Sequence, residues 1–239
     1  MKKRWQTALV VGASSGVGAA LVKRLAAHGC RVAAVARRKE ELEGLATWAR
    51  AAGGTGEVLP YVADVRDPQS VPELFEAITT ELGGLDLMIE EYDTDKDLEM
   101  LTTNLSGAIA WLNPAAQRFG RVKRGTIVGI GSVAGDRGRS ASPVYNTSKA
   151  GFHTYLESLR NRIGRHGVKV VTIKPGFIDT AMTRGLPGLF WMISADRAAE
   201  IILDQARKGA VTAYVPARWR YLMMIIKSIP SFIFRRLKV

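Results

Sequence analysis

Short apolar runs separated by longer amphipathic ones constrain this chain more than any other feature. The runs Thr7–Val11, Arg31–Ala36, Glu57–Val62, Leu85–Ile89, Thr126–Ile130, Lys169–Ile173 and Ala213–Val215 read as strands. Between them, Gly16–His28, Lys39–Ala52, Ser70–Leu82, Asp95–Arg118, Val144–Arg165 and Ala195–Arg207 carry helical periodicity. Strands that are apolar on both faces, and that alternate with helices, belong to a parallel sheet covered on both sides. Right-handed crossovers make a doubly wound sheet the simplest topology. The expectation is a single α/β domain over residues 1–216 with about seven strands, followed by a basic tail over residues 217–239.

With 239 residues, 47% of them hydrophobic, the chain can bury a substantial core. Lys and Arg outnumber Asp and Glu by 34 to 22, a net charge of +12, which calls for an anionic partner such as a nucleotide phosphate or an anionic membrane surface. The imbalance is concentrated at the end. No Asp or Glu occurs from Gln205 onward, where Arg207, Lys208, Arg218, Arg220, Lys227, Arg235, Arg236 and Lys238 stand. The single cysteine, Cys30, excludes an intramolecular disulfide and fits a reducing compartment. His28, His153 and His166 show no metal-ligand spacing, so no metal site is expected. The N-terminus is too interrupted by Gly12, Ser14, Ser15 and Gly16 to be a signal core, and no apolar run reaches the ~18 residues of a spanning helix. A cytoplasmic protein is expected, with the tail as its means of attachment to the inner face of a membrane.

The first strand runs into Gly12-Ala13-Ser14-Ser15-Gly16-Val17-Gly18, a glycine-rich turn that opens a helix. Glycines there allow a tight turn and close approach of the backbone to a pyrophosphate, and the helix start offers free N–H groups to phosphates. This is the setting of a Rossmann-type dinucleotide site, although the spacing differs from G-x-G-x-x-G. An acid at the end of the second strand would bond a ribose 2′-hydroxyl. Here Arg37 and Arg38 stand instead, and arginine receives a 2′-phosphate through a forked contact. NADP(H) is therefore expected over NAD(H). Asp64, followed by Val65, comes after the third strand, where a carboxylate can accept from an adenine amino group.

Tyr145 and Lys149 stand four apart on a helix and share a face. A phenol with a pKa of ~10 is a poor acid at neutral pH, and a nearby ammonium lowers that value. The tuned tyrosine can pass a proton to or from a substrate oxygen. Ser132, at the end of the fifth strand, can hold the same oxygen. Asn104 falls within the long helix, where asparagine is a poor fit unless its side chain bonds something specific.

Taken together, these residues resemble the short-chain dehydrogenase/reductase family over nearly the whole chain. The resemblance implies a seven-stranded doubly wound sheet and an Asn–Ser–Tyr–Lys tetrad at Asn104, Ser132, Tyr145 and Lys149. It makes Tyr145 the acid/base, and Lys149 the group that tunes it and holds the nicotinamide ribose. Ser132 would orient substrate, and Asn104 would anchor a water in the proton path. Pro175, Gly176, Ile178 and Thr180 match the family's turn after the sixth strand and would border the nicotinamide. A narrower resemblance, to decaprenylphosphoryl-2-keto-ribose reductases, lies in Gly131–Arg137 and in the tail from Val215 to Arg235. It implies reduction of a ketosugar on a polyprenyl phosphate. Reduction of a fatty or acyl ketone, or an inactive membrane-associated scaffold, are the alternatives; no nucleic acid is expected.

One stretch departs from the family pattern. The fourth strand should end in an Asn-Asn-Ala-Gly-like turn, but Glu90-Glu91-Tyr92-Asp93 follows instead, and the connection to Asn104 is short. Carboxylates in that turn would oppose the cofactor's phosphates, so weakened cofactor binding and activity are expected. Trp219–Phe234 is apolar but broken by Arg220, Lys227 and Pro230, which suits an interfacial segment. Leu186–Ile193 is a second apolar stretch, where the family has its substrate lid. Both segments would equally serve a homo-oligomer interface. Arg137 and Arg139 are candidate contacts for a substrate phosphate.

Overall fold

A computed structural model describes residues 5–53, 55–65, 67, 69–90, 97–183 and 185–237. The first half comprises β1 (Thr7–Val11), α1 (Gly16–Ala27), β2 (Arg31–Ala36), α2 (Lys39–Ala51), β3 (Glu57–Val62), α3 (Val71–Glu81) and β4 (Leu87–Glu90). Then come α4 (Asp97–Leu101), a π-helical segment (Thr102–Gly107), α5 (Ala108–Val122), β5 (Thr126–Ile130), a 3-10 turn (Val133–Asp136) and α6 (Pro143–Ile163). The chain finishes with β6 (Lys169–Pro175), β7 (Ile178–Asp179), β8 (Ile193–Ser194), α7 (Ala195–Lys208), β9 (Thr212–Val215), α8 (Trp219–Ser228) and α9 (Ser231–Phe234).

Seven strands form one sheet in the order β3-β2-β1-β4-β5-β6-β9, and every pair is parallel. The α/β domain is thus the doubly wound one the residue pattern calls for. Alternate residues of β1 show why its run is apolar throughout. Ala8 and Val10 pack on one face with Leu21, Leu25 and Ile202. Leu9 and Val11 pack on the other with Phe75, Trp111, Phe119 and Phe152. Burying each large apolar side chain contributes about 1.5–3 kcal/mol. The strand order reverses between β1 and β4, and the C-terminal ends of such strands frame the crevice where ligands bind.

The largest departures from expectation lie in β4 and the helix after it. The strand expected at Leu85–Ile89 runs over Leu87–Glu90. The side chain of Asp86, just before it, accepts from the backbone N–H groups of Gln6 and Thr7 at the start of β1. Glu90, expected in the following turn, pairs in register with Val11 and Gly129 and is 2% exposed. Its carboxylate belongs to the strand, not to an open loop; Glu91 and the rest of that turn lie outside the described residues. The helix expected over Asp95–Arg118 is described from Asp97 to Val122 and is rewound by the π segment in its middle. A period-3.6 pattern carries no signal for such local rewinding, although π segments collect at functional sites.

The tail folds back on the domain. Trp219 and Met223 of α8 are buried with Val133, beside Phe177, Tyr214, Leu222 and Ile226. Among the described residues no helix is long and apolar enough to cross a membrane. The short parallel pair β7–β8, with Ile178 opposite Ile193, fixes both ends of the segment between Thr180 and Met192.

Candidate active site

Gly12 (φ +87°) and Gly16 (φ +54°) adopt the left-handed conformation that lets β1 turn sharply into α1. The amides of Gly12 and Ala13 both donate to the carbonyl of Val35, at 2.9 and 3.1 Å, which pins the turn to β2. Gly18 serves the packing: a Cβ there would collide with the carbonyl oxygen of Gly12. The first turn of α1 contains no acid, and its leading N–H groups have no acceptors within the helix. The side chain of Ser15 makes no cap bond to the described residues of that turn. The result is a positive, donor-rich helix start.

A cleft opens over this turn. It is lined by Gly12, Ser14, Ser15, Gly16 and Val17, by Arg37 and Arg38 at the end of β2, by Val65 after β3, and by Thr180 after β7. Arg38 donates from Nη2 to the Ser14 hydroxyl at 3.0 Å, which holds its guanidinium over the glycine turn. Asp64 sits between the lining residues Ala63 and Val65 without itself lining the cleft. Five further walls, Ala36, Ala63, Thr103, Ala181 and Met182, were not among the residues expected from the sequence. Thr103 belongs to the π segment, so the rewound helix reaches the cleft.

The four candidate reacting residues lie on α6 and the elements around it. Lys149 is 5% exposed, and its Nζ lies 5.6 Å from the centre of the Tyr145 ring. Asn104, 1% exposed in the π segment, donates from Nδ2 to the Ser148 hydroxyl at 3.3 Å. Ser148 in turn donates to the carbonyl of Tyr145 at 2.8 Å. The π segment is thereby tied to the turn of α6 that carries both Tyr145 and Lys149. Ser132 caps the 3-10 turn, its Oγ accepting from the Ala134 amide at 3.1 Å. That turn packs against α6, where a Cβ at Gly135 would meet the backbone of Lys149 and Ala150. Tyr145, Lys149, Ser132 and Asn104 are not themselves lining residues of the cleft; Thr103, beside Asn104, links the two groups.

Behind Ser132 lies a polar cluster that residue patterns did not reveal. The imidazole of His153 fills the space beside Gly131 and Gly135, and its Nε2 accepts from the Ser132 amide at 3.4 Å. Its Nδ1 is 3.9 Å from Asp136. Asp136 also accepts from Lys174 and, at 2.6 Å, from the Tyr214 hydroxyl. Burial, reinforced by the charge of Lys174, pushes the His153 pKa down to about 3, so the ring is neutral at physiological pH.

The turn after β6 departs from its expected role in one respect. A Cβ at Gly176 would clash with the indole of Trp219. The open side of this glycine is therefore taken by the chain's own tail, while Pro175 ends β6 and Ile178 is buried in β7. Trp219 also stacks on Phe190 at 5.2 Å and meets Phe177 and Trp191 edge to face. Arg137 is likewise committed to the tail: it donates to the carbonyls of Ile226 and Lys227 and lies 4.0 Å from the ring of Phe234. It is not placed as a free phosphate contact. Burial lowers the pKa of Arg139, an effect that Tyr145 and Asp136 nearby oppose only in part, and its carbonyl accepts from Asn146 at 3.1 Å.

Residues 6–187 match the family model for short chain dehydrogenase. An uncharacterized oxidoreductase of Myxococcus xanthus is 34% identical over 243 residues, spanning 96% of this chain and 95% of the relative. A 3-oxoacyl-[acyl-carrier-protein] reductase of Bos taurus is 34% identical over 190 residues, spanning 74% of this chain and 77% of the relative. Among solved structures, a short-chain type dehydrogenase/reductase from Mycobacterium ulcerans superposes with a TM-score of 0.79 at 20% identity, over 90% of this chain and 89% of its own. The chain belongs to the short-chain dehydrogenase/reductase family. It is a short-chain oxidoreductase of a family that uses nicotinamide cofactors.

Proposed function

We propose that this chain reduces a ketone with NADPH, using Tyr145 as proton donor and Lys149 to tune it. The observation that carries the reading is the buried Lys149 one helical turn from Tyr145, on a helix tied through Ser148 to Asn104. The glycine turn fits the cofactor: it has positive-φ glycines, an acid-free helix start and an arginine held across its rim. Gly12, Ser14, Ser15, Gly16 and Val17 would form the phosphate cradle, with Gly18 letting α1 pack close to the turn and Asp64 and Val65 on the adenine side. Thr180, which lines the cleft, would border the nicotinamide, with Pro175 and Ile178 behind it and Gly176 closed off by Trp219. Bound NADPH supplies the hydride.

The chain's own residues handle the proton and the substrate oxygen. An ammonium one turn away favours the phenolate of Tyr145 and so eases release of its proton to the oxygen. The Ser132 hydroxyl accepts from Ala134 and so keeps its own hydrogen for the same oxygen. Lys149 would also hold the nicotinamide ribose, and Asn104 keeps the π segment against α6.

Preference for NADPH rests on Arg37 and Arg38 lining the cleft where NAD enzymes carry an acid. A carboxylate at Glu90, one register step from the glycine turn, weakens cofactor binding relative to a small neutral residue. The substrate reading is a ketosugar on a polyprenyl phosphate, supported by the apolar tail and lid and by Arg139 beside Tyr145. The likeness to the bovine 3-oxoacyl reductase supports a second reading, an acyl ketone. The protein would work in the cytoplasm, peripheral to the membrane's inner face, as a homo-oligomer. NADPH oxidation measured with a polyprenyl-phosphate ketosugar and with a 3-oxoacyl thioester tests these readings. Faster turnover of the first supports the ketosugar, faster turnover of the second supports the acyl ketone, and turnover of neither removes both.

A further inference from the structure

Helix α8 is apolar on two opposite faces. Trp219, Leu222, Met223 and Ile226 form the face packed on the domain. Tyr221, Met224 and Ile225, at helical spacing on the other side, are 61–67% exposed. A surface helix normally turns polar residues outward, and one that is apolar all round is covered by something. Arg220 and Lys227, seven residues apart and both exposed, lie along one flank of the outer stripe. The helix does not stand alone. Phe190 of the segment between β7 and β8 stacks on Trp219, and the Arg218 guanidinium lies 5.3 Å from the Trp191 ring. Phe190, Trp191 and Met192 are themselves 39–47% exposed. Thr180, Ala181 and Met182, at the start of that segment, line the cleft. Exposed apolar side chains therefore stand on the tail helix and on the segment packed against it, whose other end lines the candidate active site.

We infer that this surface docks on an anionic lipid bilayer and holds the cleft mouth at the level of the headgroups. The inference rests on the proposed lipid-linked substrate and names the surface that would reach it. Charge decides between a bilayer and a second copy of the chain. Arg218, Arg220, Lys227, Arg235 and Arg236 are all exposed on or beside α8 and α9, and no acid occurs after Asp204. A two-fold pairing through the tail would bring like charges together. Anionic headgroups satisfy the same charges while the aromatic and aliphatic side chains enter the acyl boundary.

The test is flotation of the full chain with vesicles of phosphatidylglycerol and phosphatidylcholine, and with phosphatidylcholine alone. Binding to the anionic vesicles is expected, and it falls at least about tenfold on neutral ones. Tyr221→Ser/Met224→Ser/Ile225→Ser, which changes only exposed side chains, is expected to weaken binding by a similar factor, as is Arg235→Glu/Arg236→Glu. Absence of binding to anionic vesicles overturns the inference. So does binding that neither variant changes, or a non-binding wild type that the triple serine variant converts from oligomer to monomer. Turnover of a water-soluble ketone, measured alongside, separates the two levels. A chain that reduces the ketone but does not float defeats the surface alone. A chain that floats without oxidising NADPH supports the surface and defeats the reductase reading.

Discussion

The backbone N–H of Ser132 donates to Nε2 of His153 at 3.4 Å, across a gap that is open only because Gly131 and Gly135 carry no side chains. Acceptance at Nε2 leaves the proton of the neutral ring on Nδ1, facing Asp136. The folded chain holds this imidazole neutral down to about pH 3, whereas the unfolded chain protonates it near pH 6.5. Between those values the unfolded state binds the extra proton, so stability falls as pH is lowered through the window, by about 1.4 kcal/mol per pH unit. Urea unfolding of wild type and His153→Gln across pH 4–7 measures it. The variant is expected to show the shallower dependence; parallel curves would contradict the assignment.

Trp219→Ala is expected to cost about 3–5 kcal/mol, since it empties a buried aromatic site under Gly176 and beside Phe177 and Phe190. Trp219→Phe keeps most of the packing and removes an indole N–H that has no hydrogen-bond partner among the described residues, so its cost is smaller. Gly176→Ala should destabilise as well, because its methyl group meets the indole. Denaturant midpoints order the three variants. Equal stability of Trp219→Ala and wild type would show that the tail does not hold to this site.

Much of this arrangement was legible beforehand, and the reasons are physical. A strand such as β1 is apolar at every buried position, so its run marks it. The glycine turn and the Tyr145–Lys149 pair depend on local spacing, which a sequence displays directly. His153, Asp136 and Lys174 come together only through the packing of α6 on the sheet, and no local spacing encodes that contact. The π segment escaped for a related reason: Asn104 signals a polar role, but not how the helix must rewind to meet Ser148. The tail's apolar residues were visible, yet only the fold divides them between Trp219, which is buried, and Tyr221, which is exposed.

Arg38→Ala, alone or with Arg37→Ala, is expected to lower the ratio of kcat/KM for NADPH over NADH by tenfold or more, because a forked contact to a 2′-phosphate is lost. Steady-state kinetics with both cofactors measures the ratio. An unchanged ratio would assign both arginines to solvent.

Glu90→Asn removes a buried carboxylate beside the glycine turn. Tighter NADPH binding is expected, by up to about tenfold on relief of like-charge repulsion. Fluorescence titration of wild type and variant decides it, and equal affinities would show that this position does not limit cofactor binding.

The most direct test is NADPH binding and turnover by wild type and Tyr145→Phe. Both proteins are expected to bind NADPH with similar affinity, while the variant loses about 10²–10⁴-fold in kcat because it lacks the proton donor. Failure of both to bind NADPH, or undiminished turnover by Tyr145→Phe, would contradict the account.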